Sequence, residues 1–424
     1  MTYSFLGSSR RNLAPIGLAA AIAASACSSS TDSATSQLSN PNVARVTTYT
    51  WTYVNVNPWP NSSGTKYQTE ATGINDTGEV VGFYSNTVTT NKGVATVDTS
   101  FTSAKPYSTF NYASFPHSQA TLAKACAHAC PSPFVIGTQM HGITSVVSTT
   151  GLPILAGSVW EPGDEGGNWA VINDQGLWVL PSPDGNIAAE PCHYGYLFGI
   201  NNISPLNGDP IAVGMHTTSE HTSTDKNCTP PIAYLFIPTH KPKYIDVPLP
   251  QTWKAFSSVA YGVNDSGDIV GSACSGSSSK TCEGWYGMCR STTSVCQGDN
   301  YCFKMFNAGL SQSLTPYAIS NRTSATTALV VGSTSQVGTA NLTQGIIDQV
   351  TASATSTGCS SAPPQIVPPP DSASKLTVVS GINDHLDIVG WYNKGSTAKP
   401  QYIGFVGTPP SLSKPHHDSL KPRQ

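Results

Sequence analysis

The 424-residue chain has little charge, since only 11% of its residues are Asp, Glu, Lys or Arg. Its formal net charge is -3 and its pI is about 6.3. Nucleic-acid binding requires a basic face that neutralises phosphates, and attraction to anionic lipid requires a cluster of basic residues. The sequence has neither feature, so we expect no nucleic-acid partner.

The sequence also lacks any window with sustained helical periodicity and capping signals. It has instead 37 glycines and 32 prolines among abundant Ser, Thr and Asn. This composition is typical of short strands joined by many turns. It excludes a helical bundle and predicts an all-β fold.

Catalytic signatures are missing as well. The chain contains no Gly-x-Ser-x-Gly elbow, no His-Glu-x-x-His motif and no Gly-x-x-x-x-Gly-Lys phosphate loop. We therefore assign no catalytic residue, no cofactor and no metal ion. These absences favour a binding module over an enzyme.

One motif recurs along the chain. It reads Gly-Ile-Asn-Asp-Thr-Gly-Glu-Val-Val-Gly at 73–82, with close copies at 262–271 and 381–390. Asn-Asp-x-Gly predicts a tight turn, because Asx side chains bond the local backbone and Gly tolerates positive φ. The β-branched residues on both sides predict strands, so each copy is a hairpin. With three degenerate copies, the starts are 73, 142, 199, 262, 318 and 381.

Between the copies lies a second hairpin, rich in aromatic residues, as at 169–181 and 233–248. Two hairpins per repeat give the four strands of a propeller blade. A strand at 49–58 precedes the first copy, and the last strand, at 402–406, has no partner after it. The sequence therefore predicts a six-bladed β-propeller, closed by pairing of the N-terminal strand with the C-terminal blade.

The N-terminal sequence is typical of an export signal. Two arginines at 10–11 precede an Ala-rich apolar run at 13–24, which is too short to remain as a membrane span. The Ala-Ser-Ala sequence before Cys27 resembles the lipobox of bacterial lipoproteins, in which that Cys is acylated, although Ala24 stands where Leu is usual. We expect Cys27 to anchor the protein to a bacterial membrane, facing the periplasm or the cell surface.

Composition then divides the chain into four segments. Residues 1–26 are a signal peptide, and the Ser/Thr/Asn-rich residues 27–45 are a disordered tether. Residues 46–408 are the propeller, and residues 409–424 are a disordered tail. We expect a monomer.

Cysteine usage fits export. Apart from Cys27 an even number of cysteines remains, which in an exported chain predicts disulfides. Five of them fall in 274–302, which we interpret as one insertion, and Cys359 is expected to be their odd partner or a neighbour in space. The sequence does not determine how these cysteines pair. Zinc bound by the Cys126-Ala-His-Ala-Cys130 stretch is the alternative, but no complementary half is present. The ten candidates are Cys126, Cys130, Cys192, Cys228, Cys274, Cys282, Cys289, Cys296, Cys302 and Cys359.

Two further groups of residues invite a functional interpretation. Carboxylates repeated in the Asn-Asp turns suit calcium, but each turn offers only one or two of them, so a structural turn is favoured. A second group lies in loops or near blade tips, where it could meet in the central channel of a propeller enzyme, a lyase or a glycosidase. Its members are His141, Asp164, Glu165, His193 and His216.

The unit Gly-Ile-Asn-Asp-x-Gly-x-Val/Ile-Val-Gly-x-Tyr, with a following Ile-Gly-Phe-Val strand at 403–406, resembles the bacterial extracellular repeat family called HAF. The resemblance extends over most of 46–408 and implies an exported, propeller-like repeat protein. It transfers no functional residue. We therefore expect a lipid-anchored binding or scaffold module whose ligand is a glycan, a peptide or an envelope protein; the alternative is the channel enzyme.

Overall fold

The fold is taken from a computed structural model of the protein. It describes residues 48–56, 68–90, 93–113, 137–147, 152–160, 169–174, 177–179, 195–202, 210–217, 230–237, 243–275, 281–290, 296, 300–306, 312–336, 342–352, 358–395 and 401–410. The predicted signal peptide and tether, with Cys27, lie outside the described residues, as do residues 411–424 of the predicted tail.

The described part is an all-β structure with a propeller arrangement. Five blades are antiparallel sheets built on four consecutive strands, and one of them includes a fifth strand. Blade 1 consists of β2 (Gln68–Ile74), β3 (Val80–Thr90), β4 (Gly93–Ser103) and β5 (Asn111–Ala113). Blade 2 consists of β6 (Gly137–Val147), β7 (Pro153–Trp160), β8 (Trp169–Asp174) and β9 (Leu177–Val179).

The other three blades follow the same plan. Blade 3 consists of β10 (Gly195–Ile200), β11 (Ala212–His216), β12 (Ile232–Ile237) and β13 (Lys243–Asp246). Blade 4 consists of β14 (Ala255–Val263), β15 (Ile269–Ser275), β16 (Thr281–Cys289) and β17 (Tyr301–Met305). Blade 5 consists of β18 (Gln312–Ile319), β19 (Thr327–Gln336), β20 (Thr343–Ala352) and β21 (Cys359–Ser361), with β22 (Gln365–Ile366) also paired to β20.

A further sheet, here called the composite sheet, joins the two ends of the chain. Its strand order is β1 (Thr50–Val54), β25 (Tyr402–Thr408), β24 (Ile388–Asn393) and β23 (Thr377–Ile382). Strand β1 runs antiparallel to β25, with Thr50 opposite Thr408 and Val54 opposite Gly404. The N-terminal strand therefore supplies the partner that the last strand lacks in the sequence.

Hydrophobic residues hold the sheets face to face. Leu235 of blade 3 and Trp285 of blade 4 share one buried cluster, and both are about 1% exposed or less. The composite sheet packs on two sides: Phe405 lies in a cluster with Leu329 of blade 5, and Val406 in a cluster with Phe101 of blade 1. Burial of such side chains is the main stabilising term, on the order of 1.5–3 kcal/mol for each large one.

The predicted turn chemistry is present. Asn75 Oδ1 accepts the backbone N–H of Glu79 at 2.8 Å, and the N–H of Gly78 donates to the Asn75 carbonyl at 3.0 Å. Gly78 has a φ of 79° and Gly267 one of 78°, so both glycines occupy the left-handed region that the turn requires. The structural interpretation of the Asn-Asp turns is thus supported directly by their hydrogen bonds.

Three disulfides join described cysteines: Cys274–Cys282, Cys289–Cys296 and Cys302–Cys359. The last links blade 4 to blade 5, as expected for the odd partner. The interpretation of 274–302 as one insertion was wrong, because β15, β16 and β17 run through it. Three disulfides indicate an oxidising, exported environment. The remaining candidates, Cys126, Cys130, Cys192 and Cys228, and with them the zinc alternative, lie outside the described residues.

Within the same described ranges, no helix combines the length and apolar character that crossing a bilayer demands.

Candidate functional site

The first strand of each blade, together with β23 of the composite sheet, ends in one copy of the repeat, and these inner strands approach one another closely. A Cβ added to Gly73 would lie 2.5 Å from the carbonyl oxygen of His141 on β6. A Cβ on Gly262 would lie 2.8 Å from Cα of Ala318, and one on Gly381 would lie 3.1 Å from Cα of Gly73. The repeat needs glycine here because the next backbone occupies the space of a side chain.

Each inner strand carries a β-bulge one residue before that position. The pairing with the second strand shifts register between Ala71 and Gly73, and likewise in the five other sheets. A bulge leaves one residue unpaired and redirects its side chain. The bulged residues are Thr72, His141, Phe198, Tyr261, Tyr317 and Ser380.

All six bulged residues line one cavity, here called the axial cavity, of about 90 Å³. Six more residues on neighbouring positions complete its wall, and the wall combines aromatic rings with few polar groups. These are Glu70, Phe83, Gln139, Tyr196, Val378 and Trp391.

The aromatic rings of the cavity form a continuous series of contacts. His141 lies edge-on to Phe83 with ring centroids 5.8 Å apart and is 5.3 Å from Phe198. Phe198 contacts Tyr261 at 5.2 Å, and Tyr261 contacts Tyr317 at 5.4 Å. Such offset and edge-to-face geometries are the favourable ones for aromatic pairs.

Two titratable groups in this wall are shifted toward their neutral forms. Burial, with a smaller contribution from the nearby charge of Asp98, raises the pKa of Glu70 to about 8. Burial lowers the pKa of His141 to about 4, and its Nε2 is buried without a hydrogen-bond partner. At neutral pH the imidazole is uncharged and Glu70 is largely protonated.

Three polar side chains of the wall donate hydrogen bonds within the protein. Thr72 Oγ1 donates to the Met140 carbonyl at 2.8 Å, and Ser380 Oγ donates to the Ala71 carbonyl at 2.6 Å. Gln139 Nε2 donates to Asp98 Oδ2 at 2.7 Å. Thr72 and Ser380 have thereby used their only hydroxyl hydrogen, so each of these oxygens can only accept a hydrogen bond from a ligand.

A second set of residues, here called the turn ring, lies at the turns that end the inner strands. It comprises Asp76, Ser145, Asn202, Asp265, Asn321 and Asp384. Each residue bonds to the next copy: the N–H of Asp76 donates to Ser145 Oγ at 2.7 Å, and that of Asp265 to Asn321 Oδ1 at 2.8 Å. The N–H of Asp384 donates to Asp76 Oδ1 at 2.9 Å, so the last copy is tied to the first.

The carboxylates of the turn ring accept hydrogen bonds from neighbouring copies of the repeat. Asn321 Nδ2 donates both to Asp265 Oδ2, at 2.8 Å, and to Asp384 Oδ2, at 2.9 Å. Burial is the largest cause that raises the pKa of Asp384, and the charges of Asp76 and Asp265 add to it. Among the described residues, no group of three or more His, Cys, Asp or Glu side chains is arranged to hold a metal ion.

The predicted channel residues have different locations. His141 lies in the axial cavity. His216 does not, because its Nε2 pairs with Asp246 Oδ1 at 2.9 Å and its ring packs on Tyr234 at 5.2 Å. Asp164, Glu165 and His193 lie outside the described residues. Within the described residues, the predicted histidines therefore do not come together.

Sequence reasoning missed Glu70 and the aromatic residues of the cavity. A signal was available, because the residue directly before the repeat glycine, or before Ala318, lines the cavity in all six copies. Aligning the copies would have placed Phe198, Tyr261 and Tyr317 in one column.

The chain matches no protein-family model, and a search of curated proteins gives no match either.

Proposed function

We propose that the protein is an exported, lipid-anchored binding module of the bacterial cell envelope, built as a closed six-bladed propeller that receives a ligand in its axial cavity. Support for the ring comes from the composite sheet, which packs on blades 1 and 5, and from the bond between Asp384 and Asp76. In this proposal the composite sheet is the sixth blade, and pairing of β1 with β25 leaves no open edge.

The cellular location follows from separate arguments. The disulfides support export, and the Ala-Ser-Ala sequence before Cys27 supports acylation at that residue. The repeat's resemblance to the HAF family points to the same bacterial, extracellular setting. A lipid on Cys27, followed by a polar tether, would hold the propeller at a membrane surface.

The binding hypothesis is based on the axial cavity. Ligand sites in proteins are concave and mostly apolar, with a few polar groups that fix orientation. This cavity has that composition, with Glu70 as its acid and rings such as Phe198, Tyr317 and Trp391 as its apolar wall. It also draws residues from all six inner strands, so the repeat architecture as a whole positions it.

Filling the cavity tests this function. We expect Ser380→Phe, which introduces a ring at a cavity-lining position, to weaken ligand capture by about 10-fold or more, because the ring occludes a small site. Full-length protein and variant would be compared on glycan and peptide arrays and on isolated envelope fractions. Ser360→Phe, at an exposed position of β21, is the matched control. Equal binding by both variants would place the ligand elsewhere.

Membrane attachment has its own test. We expect Cys27→Ala to move the protein from the membrane fraction to the soluble fraction, because the acceptor of the lipid is lost. Fractionation followed by immunoblotting measures this. If the variant stays on the membrane, the lipid anchor at Cys27 is wrong, whereas the cavity proposal is unaffected.

One observation favours the alternative of a channel enzyme: Glu70 has the raised pKa of about 8 that suits a general acid. The partner expected for it does not fit, because Nε2 of His141 is buried and unpaired and the pKa of the ring is about 4. His216 is already paired with Asp246 through its Nε2 atom. Binding is therefore the function that the described residues support best.

A further inference from the structure

We propose that the axial cavity binds an organic ammonium group, of the trimethylammonium type, between its aromatic rings and the carboxylate of Glu70. The inference names a ligand class for the proposed binding function and rests on it.

The first argument is the arrangement of rings. The faces of Phe, Tyr and Trp rings carry a negative potential that attracts cations within about 6 Å, and several rings around one cation form a cage. Phe198, Tyr261 and Tyr317 follow one another at centroid distances of 5.2 and 5.4 Å, and Phe83 and Trp391 line the same space.

The second argument is charge. Glu70 is the one acid among the residues that line the cavity, and none of them is Lys or Arg. His141 stays uncharged above a pKa of about 4, so it does not repel a cation. An anionic ligand would meet no counter-charge here. An ammonium group would supply the counter-charge that the Glu70 carboxylate lacks.

Hydrogen bonding favours this class over neutral sugars. A sugar offers many hydroxyls, which need donors and acceptors on the protein. Thr72 and Ser380 already give their only hydroxyl hydrogen to Met140 and Ala71, and Gln139 gives one N–H to Asp98. A quaternary ammonium needs no hydrogen bonds, so these internal bonds can remain intact when it binds.

The size of the cavity agrees with a headgroup. Its volume is about 90 Å³, which is less than the engineered cavity of about 150 Å³ that binds benzene. A trimethylammonium group fits this scale, whereas a complete sugar residue with its hydroxyls is larger. The remainder of such a ligand would extend from the cavity.

Binding should depend on pH through Glu70. Among the described residues, the titratable groups that interact with Glu70 are Asp98, whose charge adds to the effect of burial on its pKa, and Tyr317 and Tyr402, whose pKa values are raised by burial and also by the charge of Glu70. Because the pKa is about 8, most Glu70 is neutral at pH 6 and ionised at about pH 9. Ammonium affinity should therefore rise with pH across this range, and binding should release protons.

The test compares two probes of nearly equal shape by isothermal titration of the full-length protein: choline and its neutral analogue 3,3-dimethylbutan-1-ol. We expect choline to bind about 10-fold more tightly than the alcohol at about pH 9, and its affinity to fall about 10-fold by pH 6. Glu70→Gln should remove the pH dependence. Glu79→Gln changes an acid outside the cavity and should leave it intact.

If Glu70→Gln does not fold, the pH dependence of the wild type and Phe198→Leu, which removes one ring, still decide the question. Equal affinity for the two probes overturns the ammonium proposal, as does binding of neutral sugars without choline, while the binding function stands in both cases. No binding of either probe also overturns it. The Ser380→Phe variant then tests the binding function separately.

Discussion

The bulged residues of the axial cavity precede the turn-ring residues by four positions in the same repeat, yet the cavity wall, unlike the turn ring, includes an acid whose pKa is raised by burial and a buried nitrogen without a partner. In the turn ring, the Asp76 carboxylate accepts hydrogen bonds from the backbone N–H of Asp384, at 2.9 Å, and from the hydroxyl of Ser145, at 2.8 Å. In the cavity, the pKa of Glu70 is raised by burial and Nε2 of His141 has no partner.

This difference separates structure from function along a single strand. Polar groups that find partners in the neighbouring copy contribute to stability, since each hydrogen bond is worth about 0.5–1.5 kcal/mol net. Buried groups that lack partners destabilise the fold, and those that line a cavity can be satisfied by a ligand. We therefore expect turn-ring variants to change stability, cavity variants to change binding, and the glycines between the two layers to affect both.

The largest effect should come from the repeat glycines, which lie between the cavity positions and the turn ring in the sequence. Gly73→Ala forces a Cβ to within 2.5 Å of the His141 carbonyl oxygen, so β2 and β6 must separate. We expect a loss of about 2–3 kcal/mol in the free energy of unfolding, together with weaker ligand binding because His141 is displaced. Chemical denaturation monitored by circular dichroism measures the first quantity.

The chain contains a natural control for this change. Ala318 occupies the equivalent position in blade 5, so Ala318→Gly should cost no more than about 0.5–1 kcal/mol. If Gly73→Ala is as mild as Ala318→Gly, the close approach of inner strands does not limit this position.

Much of the fold could be predicted because local chemistry dictates it. The Asn75 side chain and Gly78 determine the turn, and β-branched residues such as Val80 and Val81 determine the strand after it. The pairing of β1 with β25 followed from an unpartnered strand at each end. Strand β16 was missed because no Asn-Asp-x-Gly turn precedes it and its cysteines suggested an insertion.

The cavity was harder to predict because bulges form it. Simple alternation along β2 does not tell which face Thr72 occupies, and only the register shift between Ala71 and Gly73 turns it inward. Glu70 became a candidate only when its burial beside Asp98 was known, since an isolated Glu in a strand usually faces solvent. His141 was named from its residue type and does lie in the cavity.

The smaller effect should come from the turn ring. Asp76→Ala leaves the N–H of Asp384 and the hydroxyl of Ser145 without their acceptor between adjacent copies. Because these groups are partly exposed, water replaces some of the loss, and we expect about 1–2 kcal/mol of destabilisation. Cavity affinity should stay unchanged, since Asp76 does not line the cavity.

Thr77→Ala, in the same turn, is the control for Asp76→Ala, because the Thr77 hydroxyl donates to Asn75 Oδ1 at 2.7 Å within its own copy. It should cost less than about 1 kcal/mol, since no bond between copies is lost. If Asp76→Ala weakened ligand binding while Thr77→Ala did not, the turn ring and the axial cavity would be coupled. The separation of stability and binding along the repeat would then fail, because ligand binding would depend on how tightly the turn ring holds the inner strands together.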